Sequence, residues 1–440
     1  MSVFVLDRKK KPLMPCSEKR ARLLLERGRA RVHRMVPFSI RLVDRKVEDS
    51  VLQPIRLKLD PGSKTSGMAL VREKETVDDA TGEILRVLAV LMFMELTHRG
   101  YGIKKSLKQR KGHRQHRRGD LRYREARFDN RSKPEGWLPP SLQHRVDTVL
   151  ALVERLMRLA PITALSQELV RFDMQQMQNP EISGVEYQQG SLQGYEVKEY
   201  LLEKWGRECV YCGTENVPLE VEHIQPKSKG GSNRVSNLTL ACHDCNQRKG
   251  NLPIATFLAQ EPERLRRIQA QAKAPLKDAA AVNSTRWALF QRLKGTNLPV
   301  EVASGGRTKW NRSRQRYPKA HWIDAACVGV SGEAVTCDSE QVPLQMKAMG
   351  HGERQRARLS AHGFPIGHKA VSKSAYGFQT GDLVKARIPK GKFQGTHCGR
   401  VAIRSRPSFA LSTAAFEKSF DVHPRYLVIV HRSDGYVYNT

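Results

Sequence analysis

The apolar run VFVLD at residues 3–7 predicts a short strand, and Lys9 to Pro15 (KKKPLMP) predicts a turn. Ser17 ahead of Glu18 to Arg27 predicts a capped helix that Gly28 stops. Apolar and polar positions alternate through IRLKLD at 55–60, a strand that ends in the carboxylate Asp60. Pro61-Gly62-Ser63 turns the chain, and Gly67 to Val71 predicts the return strand. Asp78 to Gly82 predicts a hairpin tip and Val87 to Leu96 a long third strand. Between 141 and 159, Leu142, Val146, Val149, Leu150, Val153, Leu156 and Met157 recur at helical spacing, and Pro161 ends the element. ITALSQELV at 162–170 predicts a strand carrying Glu168, and the polar stretch 171–190 a connector. Residues 252–298 predict mostly helix, 300–303 a strand, and 304–316 a basic, glycine-containing loop. In AHWIDAACVGV (320–330), His321 and Asp324 are three apart, so on a helix they share one face. Residues 331–440 predict a β-rich unit of the small open SH3-like barrel type, with strands at 381–386, 397–402 and 426–430; Lys385, Arg387, Lys390 and Lys392 make one face basic.

Charge changes this picture most. The 76 Lys and Arg against 44 Asp and Glu leave a formal net charge of +32 over 440 residues. Such an excess implies a polyanionic partner, held with an affinity that falls steeply with salt. A chain this long is expected to form about three domains with sizeable cores. The longest apolar run, Val87 to Met94, is too short to span a bilayer. With no signal-peptide core at the start, an intracellular, cytoplasmic protein without membrane contact is expected. The charge peaks in residues 99–131, with 13 Lys and Arg against 3 acidic residues. Lys108, Arg110, Arg114, Arg117, Arg118, Arg122, Arg124, Arg127 and Arg131 fall here, interleaved with Tyr101, Tyr123 and Phe128. That density repels itself unless phosphates neutralise it. Gly112 and Gly119 weaken a continuous helix, so helical segments laid along a nucleic-acid backbone are expected.

The chemistry concentrates in residues 209–250. Cys209/Cys212 and Cys242/Cys245 form two Cys-x-x-Cys knuckles, whose four thiolates suit a closed, structural Zn²⁺ site. The alternatives are disulfides or four free thiols; the absent secretory signal disfavours disulfides. Cys16, Cys327, Cys337 and Cys398 stand alone as ordinary thiols. Between the knuckles lie Glu222-His223, Pro226, Gly230-Gly231 and Asn237-Leu238, and Asn246 follows the last cysteine. Phosphodiester hydrolysis needs an activated water and a cation near the leaving oxygen. His223 offers a general base near pH 7, and Glu222 and Asn246 the hard oxygens that Mg²⁺ prefers. Neighbours on a strand point to opposite faces, so Glu222 and His223 reach metal and water separately. Asn237 is expected to orient a loop by hydrogen bonds. Elsewhere, Asp60, Glu168 (with Asp173 as its local competitor), His321 and Asp324 are weak signals one by one. Their spread over three segments suits carboxylates that converge for two-metal catalysis.

The pattern Cys-x-x-Cys, Glu-His-x-x-Pro, Gly-Gly, Asn-Leu, Cys-x-x-Cys-Asn resembles an HNH nuclease domain of the ββα-metal type. Glu222 stands where many relatives carry Asp, and Asn246 where many carry His. The order Asp60, arginine-rich run, Glu168, HNH segment, His321 and Asp324 resembles a RuvC nuclease split in three, as in dual-nuclease CRISPR effectors. With Pro12-Leu13-Met14-Pro15 near the start, the chain resembles IscB, the transposon-encoded RNA-guided nuclease family. The resemblance implies an α/β multidomain fold: an RNase H-like core split in three, an inserted zinc-braced HNH domain and a small barrel-like C-terminal domain. Its expected divisions are 1–53 (PLMP unit), 54–98 (RuvC-I), 99–132 (bridge helix), 133–190 (RuvC-II), 191–262 (HNH), 263–330 (linker and RuvC-III) and 331–440 (RNA- and target-adjacent-motif-interacting domain). It implies two Mg²⁺ at Asp60, Glu168 and Asp324 with His321 assisting water activation, and one Mg²⁺ at Glu222 and Asn246 beside the base His223. It further implies a monomeric ribonucleoprotein in a prokaryotic cytoplasm, carrying a structured omega (guide) RNA and acting on double-stranded DNA. HNH would cut the guide-paired strand and RuvC the displaced strand. Two rivals stay open: a guide-independent homing or junction-resolving nuclease, and an RNA-binding scaffold with decayed sites.

Overall fold

The computed structural model describes residues 2–77, 84–121, 136–169, 198, 201–202, 204–215, 217–273, 279–350, 357–368, 374–404 and 408–439. The first strand, β1 (Val3–Leu6), pairs on one side with β2 (Pro12–Cys16) and on the other with β4 (Ser39–Leu42), which pairs with β3 (Ala30–Arg34). The PLMP stretch is therefore a strand, where a turn was expected. Proline lacks the N–H a central strand needs, but β2 is an edge strand and tolerates it. The turn falls earlier, where Asp7 Oδ1 accepts from the backbone N–H of Lys9 and Lys11 at 2.7 and 2.8 Å. Ser17 caps helix α1 (Glu18–Glu26), and Gly28 closes it with φ +65°.

The centre is an eight-stranded mixed sheet. Its path runs β11 (Val300–Ala303), β8 (Ile162–Glu168), β5 (Ile55–Asp60), β6 (Thr65–Val77), β7 (Ile84–Thr97), β13 (Leu344–Ala348) and β23 (Tyr436–Asn439), with β12 (Val335–Thr336) also on β7. The expected hairpin tip at 78–82 lies outside the described residues. Alternation assigns the faces. Leu57, Leu59, Met68, Leu70, Met92 and Met94 pack under helix α3 (Pro140–Met157) through Val149, Leu152, Val153 and Leu156. Ala69, Val71 and Phe93 pack on the other face against Ile323, Ala325 and Ala326. Lys58 shares that second face with Asp60 and is fully buried, donating from Nζ to Ser331 Oγ at 2.9 Å.

Helix α2 (Gly100–His116) runs straight through Gly112 and loosens into a π-helical turn at Arg117–Leu121, which contains Gly119. Lys108, Arg110, Arg114 and Arg118 are exposed, and the half-buried Arg117 lies over the Phe364 ring. Arg122, Arg124, Arg127 and Arg131 fall outside the described residues, as does Asp173. Beyond β8 the hairpin β9 (Leu219–His223) and β10 (Leu238–Cys242) leads into helix α4 (His243–Lys249), and the short α5 (Ile254–Phe257) and α6 (Pro262–Lys273) complete a separate core. Helix α7 (Ala279–Lys294) returns to the central sheet through Leu289 and Leu293. Residues 305–314 form helix α8 (Gly305–Arg314) instead of the expected loop, because Ser304 caps it by accepting from Arg307 N–H. Helix α9 (His321–Ala326) follows.

The last 110 residues are not one unit, since β13 and β23 belong to the central sheet. Between them come two small hairpins, β14 (Ala357–Leu359) with β15 (Pro365–His368) and β16 (Ser374–Ala375) with β17 (Phe378–Gln379). An antiparallel sheet follows in the order β21 (Phe420–Val422), β20 (Phe409–Thr413), β19 (Gly395–Ala402), β18 (Leu383–Ile388), β22 (Leu427–His431). Its core is Val384, Ala386, Val401, Phe409 and Leu411, and alternation leaves Lys385 and Arg387 exposed. No described helix is long and apolar enough to cross a membrane.

Candidate active site

Asp60 and Glu168 are the last residues of β5 and β8, adjacent parallel strands in which Leu59 pairs with Gln167. The next step along that register sets the two carboxylates side by side. Gly67 lies opposite Asp60 on β6, and a Cβ there would sit 1.8 Å from the His321 carbonyl oxygen. The missing side chain lets α9 rest directly on the sheet, which brings His321 and Asp324 to Asp60. His321 Nδ1 lies 3.6 Å from Asp60 Oδ2. All four residues thus line one cavity of about 200 Å³.

Three arginines that sequence reasoning missed complete this pocket. Arg286 Nη2 lies 3.0 Å from Glu168 Oε1 and 3.9 Å from Asp60 Oδ1, and its Nε donates to Pro61 O at 3.0 Å. Arg312 Nη1 lies 3.2 Å from Asp324 Oδ1. Arg207, next to the first zinc knuckle, lines the same cavity. One signal existed: Val282, Thr285, Arg286, Leu289 and Leu293 make the buried stripe of α7, so helical periodicity places Arg286 on the inward face.

Burial dominates the electrostatics. It pushes the Glu168 carboxyl up to about 8, with the Asp60 charge adding and Arg286 and Arg207 opposing. It raises Asp324 to about 6, again with Asp60 adding and Arg312 opposing. The Asp60 carboxylate beside it raises the His321 imidazole. Carboxylates crowded against one another in a buried pocket favour a bound cation. Their hard oxygens fit Mg²⁺, with Asp60, Glu168 and Asp324 as the available donors.

In the second core, Sγ of Cys209, Cys212, Cys242 and Cys245 lie within 4.8 Å of one another, and all four are free thiols. This donor set fits a structural Zn²⁺. On the hairpin, His223 Nε2 bonds Asn233 Oδ1 at 3.0 Å, which keeps the proton on Nε2 and leaves Nδ1 as the acceptor. Asn237 ties the connecting loop as expected. Its Nδ2 donates to Gln225 O and Ser232 O at 3.0 and 2.9 Å, and its Oδ1 accepts from Gln225 N–H at 2.9 Å.

Glu222 and Asn246, the expected Mg²⁺ donors, each hold protein partners in this structure. Glu222 is buried, accepting from Tyr211 OH at 2.6 Å and from the fully buried Lys249 Nζ at 2.5 Å. Asn246 Nδ2 donates to Glu220 Oε2 at 2.6 Å. The strand alternation that separates Glu222 from His223 turns Glu222 into the core, where Lys249 already balances its charge. Each Glu222 oxygen thus holds one protein donor.

Two family profiles match the chain: RRXRR protein over residues 3–190 and HNH endonuclease over 209–252. The cysteine-braced segment is thus an HNH endonuclease segment. A 56-residue stretch is 43% identical to the CRISPR-associated endonuclease Cas9 of Corynebacterium diphtheriae, covering 11% of this chain and 5% of that protein. Among solved structures, Streptococcus thermophilus Cas9 in complex with the GGAA PAM aligns over 60% of this chain and 32% of its own, with 12% identity and a TM-score of 0.23. The Type II-C Cas9 from Actinomyces naeslundii aligns over 63% and 59%, with 14% identity and a TM-score of 0.22. The chain therefore spans only part of each of these proteins.

Proposed function

We propose that this chain is an RNA-guided endonuclease of the IscB kind that cuts both strands of DNA at two centres. The observation that carries this reading is the convergence of Asp60, Glu168, His321 and Asp324 on one pocket, with the HNH segment inserted between Glu168 and His321. On this reading the central sheet is an RNase H-like RuvC core split in three, and the pocket cuts the displaced strand. Mg²⁺ held by Asp60, Glu168 and Asp324 would supply Lewis-acid charge at the scissile phosphate and acidify its water. His321, half exposed beside Asp60, moves the proton of the attacking water. Arg286 and Arg312 hold the Glu168 and Asp324 carboxylates in place.

The HNH centre cuts the guide-paired strand. His223 accepts the water proton on Nδ1, Asn233 and the Asn237-tied loop fix its ring, and the four cysteines would hold a Zn²⁺ that braces the hairpin. The exposed Lys108, Arg110, Arg114 and Arg118 of α2 support reading it as a bridge helix lying on RNA phosphates. The omega RNA would also contact the amino-terminal sheet and the basic face of β18. Base pairing to the guide reads the target, and protein reads a short adjacent motif.

The test expresses the gene with its flanking DNA, sequences the copurifying RNA and supplies the matching target with each strand labelled. His223→Ala should cut only the displaced strand and Asp60→Ala only the paired strand. Either variant still cutting both strands would refute the assignment.

A further inference from the structure

The HNH unit reaches into the central pocket. Leu201, Leu202 and Trp205 are buried in the HNH core, and the chain then reverses at Gly206 and Arg207, with φ +68° and +62°. Arg207 N–H donates to Leu202 O at 2.9 Å, closing the reversal. A left-handed conformation is strained at a non-glycine residue, so surrounding contacts must hold it. Two of them are visible. Cys209 follows after one residue and is anchored in the cysteine cluster. Lys319 Nζ, from the segment before α9, donates to Gly206 O at 3.4 Å.

This reversal aims Arg207 at the carboxylates. A Cβ placed on Gly305 would lie 3.3 Å from Arg207 Nη2 and 3.2 Å from Glu168 Oε1, so both groups share the space that glycine leaves. The balance of charge in the pocket points to what else enters. Arg207, Arg286, Lys309, Arg312 and Lys319 line it against the three carboxylates Asp60, Glu168 and Asp324. Arg286 and Arg312 lie against Glu168 and Asp324 at 3.0 and 3.2 Å. Among the described lining residues five cationic side chains face three carboxylates, a lining that suits an anionic phosphodiester. Arginine, with its planar fork of donors, is the side chain fitted to such an oxyanion.

We propose that Arg207, which the HNH unit supplies, contacts the scissile phosphate in the central pocket. This rests on the central pocket being a nuclease site. The experiment uses the protein with its copurified RNA and a strand-labelled target. Arg207→Ala should slow cutting of the displaced strand about 100-fold, the usual loss when one charge-stabilising donor is removed. Arg207→Lys should recover part of the rate. Cutting of the paired strand, within about twofold of the parent, reports that the HNH unit is folded.

A displaced-strand rate equal to the parent's overturns the inference. A faster rate also overturns it, because Arg207 would then be a plug. If Arg207→Ala loses both activities, Arg207→Lys decides: a displaced-strand rate reduced more than the paired-strand rate supports the contact, and equal rates refute it. A parent protein that cuts neither strand removes the nuclease reading itself and this inference with it.

Discussion

Replacing Gly67 by alanine puts a Cβ 1.8 Å from the His321 carbonyl oxygen and 2.8 Å from Trp322 N. Both are backbone atoms, so no side-chain rotation relieves the clash. To reach even a 3.0 Å contact, the start of α9 must retreat by about 1.2 Å from the sheet. That retreat carries His321 and Asp324 away from Asp60, while Asp60 and Glu168 stay on their strands. A misplacement of about 1 Å at a reacting centre costs on the order of 100-fold in rate. The overpacking itself costs about 1–3 kcal/mol, small enough to leave a folded protein. The assay follows both labelled strands of a matched target. Gly67→Ala should cut the displaced strand about 100-fold more slowly and the paired strand at the parent rate. Parent rates on both strands would mean that α9 does not need its seat on Gly67, and that the pocket is not assembled by this close approach.

Two further outcomes are expected. Lys249→Met strips the buried partner from Glu222 and should destabilise the HNH unit by about 3–5 kcal/mol, read as lost amide-exchange protection in residues 219–249; Lys249→Met/Glu222→Leu should restore it. Asp434 joins the amino-terminal sheet, α3 and the last strand. It pairs with Arg34, lies 3.1 Å from Arg155 Nη1 and accepts from Tyr438 OH at 2.6 Å. Burial alone would raise its carboxyl, but His431 at 3.6 Å, the bond from Tyr438 and the two arginines outweigh it and hold the group down at about 2. A depressed carboxylate contributes stability that is complete above its unfolded value of about 3.9 and is lost as pH falls through the folded value. The unfolding free energy from urea titrations should therefore drop by about 2 kcal/mol between about pH 4 and about pH 2, and Asp434→Asn should flatten that drop. An unchanged acid limb in Asp434→Asn would exclude this carboxylate as its source.

Local pattern carried much of the chain. The alternation of IRLKLD, the helical spacing of Val146, Val149, Val153 and Leu156, the Ser17 cap and the cysteine spacing each encode their own element. Single-residue chemistry and short period suffice where neighbours in sequence are also neighbours in space. The Ser304 cap was equally local, but the glycines and arginines beside it obscured helix α8. The PLMP strand was obscured because proline signals a turn unless the strand is known to be an edge, and an edge is a property of the sheet.

For the site, the sequence by itself determined the candidates: four cysteines for a metal, a histidine base between them, and carboxylates at two strand ends with a His–Asp pair on a short helix. Tertiary structure decided which of them meet. Parallel pairing of β5 and β8 set Asp60 beside Glu168, and the empty side of Gly67 admitted α9. The same packing turned Glu222 inward onto Lys249, and it brought Arg207, Arg286 and Arg312 from three separate segments into the carboxylate pocket. These are contacts between residues far apart along the chain. They follow from register, burial and charge balance, and no local period records them.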